Sequence, residues 1–265
     1  MASQTIAAAE RQVLKAMRGA LRELAGLVNV ALVLAASSVT TAASQRPTGQ
    51  SRSLQVTALL IVRVMNDLRA ALHLAHLGYP VQAAALVAGL YEIALTVAYV
   101  GVDDTRAEGW FKHDDPATTP WRVPVMVAAV ADRFDINRDK LYKQYRLLCM
   151  LKHGNPKAER QRVVFLGDGR MRFPDGPAST EEAQEIAWFA LLGGVSFVLL
   201  AQRAFVADHV GGAEQDQLLK ECLAIREALA TKRAEAVRRW PGRDPFEGRT
   251  MKAGHRRSER SRGPA

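Results

Sequence analysis

The residues best placed to do chemistry are an arginine and a histidine. Arg146 and His153 stand seven positions apart in the segment YKQYRLLCMLKHGNP, which runs from Tyr142 to Pro156. In a helix, seven steps of about 100° return to within about 20° of the starting direction, so both side chains lie on one face, two turns apart. Tyr142 and Cys149 belong to that face as well, while Leu141, Leu147, Leu148, Met150 and Leu151 supply apolar surface for packing. A guanidinium holds non-bridging phosphate oxygens in a fork, and an imidazole transfers protons near neutral pH. The pair therefore suits cleavage of a phosphodiester, with an RNA 2′-hydroxyl as internal nucleophile and no metal required. The plainer reading has Arg146 paired with a carboxylate inside a helical bundle and His153 finishing a helix.

Charge sharpens the first reading. The chain has 265 residues with 36 Lys and Arg against 27 Asp and Glu, a net charge of +9. Residues 1–50 contribute +3 and residues 238–265 contribute +6, so residues 51–237 sum to zero. Within that neutral body, residues 138–172 hold ten basic and three acidic side chains. The basic stretch of the body thus surrounds the Arg146–His153 face, and it is local charge of this kind that points to phosphate. Glu92 matters for a related reason. It is the one carboxylate in the apolar stretch 80–101, and a carboxylate drawn into a bundle needs a cation or a strong donor. Arg146, Arg63 and Arg69 are its candidate partners.

Other chemistries lack their signatures. There is no P-loop, no dinucleotide-binding glycine fingerprint, no H-E-x-x-H and no G-x-S-x-G elbow. His73 and His76 lie one turn apart, but no further ligand recurs at matching spacing, so no metal and no cofactor are expected. His113-Asp114-Asp115 reads as a solvated helix terminus, and His209, before two glycines, as part of a helix's last turn. Cys149 and Cys222 form neither a disulfide framework nor a zinc-type spacing, which fits a reducing compartment.

The elements that must position these residues are helical. Residues 1–43 read as an N-terminal apolar or amphipathic helix, and 44–53 (SQRPTGQSRS) as a linker. The helix over 54–77 ends with Gly78 suited to its C-terminal cap, and Pro80 opens the next helix, 80–101, which is apolar almost all round and so belongs in the middle of a bundle. A short helix follows Asp103-Asp104, another spans 123–134, and Asn137 or Asp135 caps the helix that carries Arg146. Residues 161–173 alternate around Gly167-Asp168-Gly169, the pattern of a small β-hairpin. Ser179 or Thr180 opens a long helix to about 209, and a charged helix covers 214–238. Residues 239–265 read as a disordered basic tail. The fold class expected is all-α, a helical bundle over 54–238 with one β-hairpin insertion. The apolar run 24–36 is short for a membrane span, so a soluble, cytoplasmic protein is expected, with 20–43 the segment to watch for membrane contact.

At the residues just described the chain resembles a HEPN-type helical domain, and it is similar to a bacterial family of HEPN-like proteins of unknown function. The resemblance covers about residues 55–210. It rests on the Gly78-Tyr79-Pro80 turn, on Gly89-Leu90-Tyr91-Glu92, and on Tyr145 through Cys149 to His153-Gly154-Asn155-Pro156. HEPN domains include metal-independent endoribonucleases of toxin–antitoxin and phage-defence systems, whose signature is an Arg, four to six residues, then a His. The resemblance implies that Arg146 contacts the scissile phosphate and His153 transfers the proton, with Glu92, Tyr142, Cys149 and Asn155 in support. It also implies a homodimer, RNA as partner and an antitoxin or other protein beside it. The alternative is a non-catalytic helical module that binds nucleotide, RNA or a protein, with Arg146 in a structural ion pair.

Overall fold

The computed structural model describes residues 5–46, 48–115, 118–152, 164–165, 171–172 and 176–241. Among these residues there are nine helices: α1 (Ile6–Ala20), α2 (Arg22–Gln45), α3 (Arg52–His76), α4 (Pro80–Val100), α5 (Asp104–Phe111), α6 (Val123–Phe134), α7 (Arg138–Lys152), α8 (Glu181–His209) and α9 (Gly212–Arg239). The chain is an all-α bundle, as its hydrophobic periodicity predicts.

Two helices form the centre. α4 and α8 pack along each other, and α3 lies against both; α2 and α9 close over α8, while α6 and α7 cover α4. α8 is buried nearly all round. Its Gly193-Gly194 pair does not break the helix, which continues through it. A Cβ on Gly194 would stand 2.7 Å from Leu68 Cδ1 and 3.3 Å from Val87 Cγ2, so the missing side chain is what lets α3 and α4 approach.

The N-terminal segment departs from the single helix expected over 1–43. It is two helices meeting at Leu21, whose φ of −105° and ψ of 7° bend the axis. The hydrogen bonds on either side survive: Leu21 N donates to Met17 O (2.9 Å) and Ala25 N to Leu21 O (2.8 Å). Leu21 is fully buried, in register with Met17, Leu24 and Val28 on the inner face. α2 is part of that core, with Leu24, Val28, Ala31 and Ala35 wholly buried. Trp188 Nε1 donates to Ala20 O (3.1 Å), and buried Gln202 donates to Ser38 Oγ (3.0 Å), tying α8 to both helices. α2 runs on to Gln45 and α3 starts at Arg52 with the Ser51 side chain as its cap, so the connection is shorter than the 44–53 expected.

The turn from α3 to α4 follows from three consecutive residues. Gly78 has φ of +85°, a left-handed conformation that costs glycine least. Gly78 N donates to Ala75 O (3.1 Å) and Tyr79 N to Leu74 O (2.9 Å), the paired bonds of a Schellman ending. Pro80 then begins α4, where a missing N–H costs nothing. Of the β-hairpin expected over 161–173, Val164–Phe165 pairs antiparallel with Met171–Arg172, Val164 opposite Arg172; the glycine turn lies outside the described residues. So does the basic tail beyond 241.

Candidate functional site

α7 is set up by a two-part turn. Asp135, at φ +52°, ends α6 in the left-handed conformation, and Ile136 N returns to Ala131 O (3.0 Å). Asn137 Oδ1 then accepts from Lys140 N (2.8 Å), capping α7 as its position predicts. Leu141 and Leu148 are buried and Tyr145 and Cys149 half-buried. These four mark the inner face, against α4.

The anchor on α4 is Tyr91. Its ring is wholly buried, edge-on to Phe197 at 4.9 Å and stacked on Tyr145 at 6.4 Å. Its hydroxyl donates to Leu141 O at 2.7 Å. Burial holds this phenol protonated far above the usual tyrosine range. Tyr145 behaves alike, through its hydrogen bond with Cys149 first, then burial, then the negative charge of Glu92. Tyr142, more exposed, stands 6.1 Å from Tyr145.

Glu92 does not take any of the three arginines expected for it. Its Oε2 lies 2.7 Å from Lys152 Nζ, while Arg63 pairs with Asp67 on its own helix. The wheel of α7 explains the choice. Counting about 100° per residue from Tyr145, Lys152 and Cys149 fall within about 40° of the inward direction, whereas Arg146 falls about 100° away. Arg146 is exposed, and among the described residues it makes no ion pair. The structure therefore gathers Glu92, Tyr142, Tyr145, Cys149 and Lys152 at the α4–α7 junction and leaves Arg146 on the outer flank. His153 and Asn155 lie outside the described residues.

Lys152 is the residue that sequence reasoning missed, and its signal was present. Tyr145, Cys149 and Lys152 sit at i, i+4 and i+7, so register groups the lysine with the face of Leu141 and Leu148, while packing decides that this face and not Arg146's meets the half-buried Glu92.

A second polar cluster closes the C-terminal end of α4. Arg133 holds Asp208 with two hydrogen bonds (2.5 and 3.1 Å) and donates to Ala98 O (2.9 Å). Asp208 is nonetheless raised above the ordinary carboxylate range, because its burial outweighs the arginine. Gly101 is required here: a Cβ would stand 2.3 Å from Asp208 Oδ2. Next to Asp208, His209 is buried and 3.0 Å from Thr57 Oγ1. The Thr57 hydroxyl already donates to Ser53 O at 2.6 Å, so the neutral ring's Nε2–H is the donor. Burial lowers His209 to about 4, with Arg46 and Arg133 adding to the effect and Asp104 opposing it. His209 is thus more than the last residue of a helix: it joins α8 to α3.

Among the described residues no three His, Cys, Asp or Glu side chains converge as metal ligands. Cys222 is buried, which pushes its thiol up to about 11. Comparison with family models, with curated proteins and with solved structures finds no match.

Proposed function

We propose that this chain is a HEPN-like, metal-independent endoribonuclease of toxin or phage-defence type, cytoplasmic and homodimeric, with RNA as substrate and an antitoxin-like protein as its partner. The observation that carries the reading is the state of Arg146. It stands exposed on α7, Lys152 rather than Arg146 meets Glu92, and among the described residues no carboxylate pairs with Arg146, which leaves its guanidinium available to a phosphate. In the proposed reaction the 2′-hydroxyl of RNA attacks the adjacent phosphorus while His153 takes part in proton transfer. The P–O5′ bond breaks, leaving a 2′,3′-cyclic phosphate and a 5′-hydroxyl. Arg146 stabilises the charge gathering on the non-bridging oxygens. The basic stretch 138–172 supplies the field that draws the substrate to this helix.

The test is cleavage of single-stranded RNA by the purified chain in excess EDTA. Arg146→Ala and His153→Ala should each lower the rate by about 10²–10⁴-fold. Arg146→Ala should unfold within about 0.5 kcal/mol of the wild type, as an exposed residue does. Lys152→Ala, which strips Glu92 of its partner, should lose about 1 kcal/mol. Cleavage untouched by both Arg146→Ala and His153→Ala would overturn the reading. RNA retained without cleavage would replace it with the binding-module alternative.

A further inference from the structure

We propose that the outer face of α1 and α2 rests on an anionic lipid surface. Among the described residues three helices are long and apolar enough to cross a membrane: α2, α4 and α8, all of equal mean hydropathy over their most apolar 18 residues. For α8 the protein interior accounts for this, since 83% of that window is buried; for α2 only 44% is. From Leu24 to Gln45 there is no charged residue. The outer positions Gly26, Asn29, Val30, Val33, Ala36 and Ser37 are nevertheless exposed, Val30 by 54% and Val33 by 66%. Soluble surfaces are about 25–35% charged, and α9 of this same molecule obeys that rule, exposing Glu214, Lys220, Glu221, Arg226 and Glu227. The outer face of α2 is built to a different one.

What covers it is indicated by the face it continues. The bend at Leu21 keeps the hydrogen bonds on both sides, so the helical phase passes from α1 into α2. Arg11, Lys15, Arg18 and Arg22 are all exposed and spaced i, i+4, i+7 and i+11. At about 100° per residue, these four and the uncharged positions of α2 fall in one arc of roughly 120°. The nearby acids are engaged: Glu10, well outside that arc, accepts from the Tyr79 hydroxyl (2.9 Å), and Glu23, about 20° beyond the arc's edge, pairs with Lys232. A cationic turn running into an uncharged, valine-bearing face is the pattern of a helix lying in the plane of a bilayer interface. The cations meet phosphate headgroups and the apolar face enters the acyl boundary. A nucleic acid would satisfy the cations but not Val30 and Val33; a second copy of the chain would cover the valines, but the same face of that copy brings no anion to the four cations.

The experiment is co-sedimentation of the full chain with vesicles of phosphatidylcholine alone and of phosphatidylcholine with one quarter phosphatidylglycerol, beside sedimentation velocity without vesicles. Binding is expected to the anionic vesicles only. Each cation near such a surface contributes about fivefold in partition, so Arg11→Gln/Lys15→Gln/Arg18→Gln should weaken binding roughly hundredfold. Val30→Glu/Val33→Glu should weaken it at least tenfold with an unchanged melting curve, because both side chains are already exposed. Anionic-vesicle binding unaltered in both variants would overturn the proposal. So would a wild-type dimer that Val30→Glu/Val33→Glu converts to monomer, since the face would then belong to a second copy.

Discussion

His209 shows how far a single residue's surroundings can move it from what its neighbours in sequence suggest. A histidine before two glycines suits a helix's last turn, and nothing local indicates that Thr57, from α3, waits for it. The folded ring titrates near 4 against an ordinary value of 6.5. The fold thus favours the neutral form, and this contribution is complete above pH 6.5. It is lost as the pH falls from about 6.5 toward 4, where protonation increasingly favours the unfolded chain. The full difference corresponds to about 3 kcal/mol. Asp208, raised by burial, acts in the opposite sense at the acid end, but it is present in both chains if wild type is compared with His209→Gln, whose amide can still donate to Thr57. Urea unfolding at pH 7 and pH 4.5 should therefore show the wild type losing about 2–3 kcal/mol more than His209→Gln. Parallel losses would mean that the buried ring accepts a proton without penalty. Glu92 carries the same lesson in reverse: its need for a cation was legible from an apolar helix, but its partner was not. Choosing Lys152 over Arg146 depends on which side of α7 faces α4, and that is decided by packing.

At the scale of elements, most of the bundle was written in local signals, because caps and prolines act within a few residues. Pro80, Asn137, Thr180 and Gly78 each stand where the structure uses them. What local signals do not show is how close a second segment comes. Gly78 is the clearest instance. Its left-handed φ was expected from a C-terminal cap, yet it also lies beneath two distant elements: a Cβ there would stand 2.5 Å from Val13 Cγ1 and 2.8 Å from both the N and the O of Ala178. Gly78 O further accepts from Ala178 N at 3.0 Å. Gly78→Ala should therefore cost more than the backbone strain of about 1–2 kcal/mol, adding an overpacking penalty of about 1–3 kcal/mol. Thermal or urea unfolding of that variant checks the sum. A loss of no more than 1–2 kcal/mol would mean that α1 and the segment before α8 move aside freely. The bend at Leu21 is also faint in the sequence. Gly19 is the one local sign in the stretch Arg18-Gly19-Ala20-Leu21-Arg22-Glu23, and a single glycine inside a helical pattern does not mark a break.

For the whole molecule the relevant quantity is where charge and apolar surface are allowed to lie. The N-terminal helices are part of the core, with Leu24, Val28 and Ala31 wholly buried, so the basic residues before them sit on a folded surface. A second source of positive charge lies beyond residue 241, where residues 242–265 carry seven Lys and Arg against three Asp and Glu. If RNA is the substrate, the two sources of charge should separate by their response to salt. Each phosphate neutralised on a single strand contributes about −0.7 to the slope of log K against log salt. A chain ending at Pro241 loses at most seven such contacts, so its slope should become shallower by up to about 5. Its affinity should converge with that of the full chain at high salt, where the counterion term fades. The cleavage pattern should be the same for both, because Arg146 and the 138–172 stretch remain. Fluorescence anisotropy on one oligonucleotide across a salt series measures the slopes, and gel analysis of the products compares the patterns. Equal slopes would show that the tail makes no phosphate contact. A changed pattern would show that the tail selects the substrate, and the specificity of the folded body would then have to be sought with the tail attached.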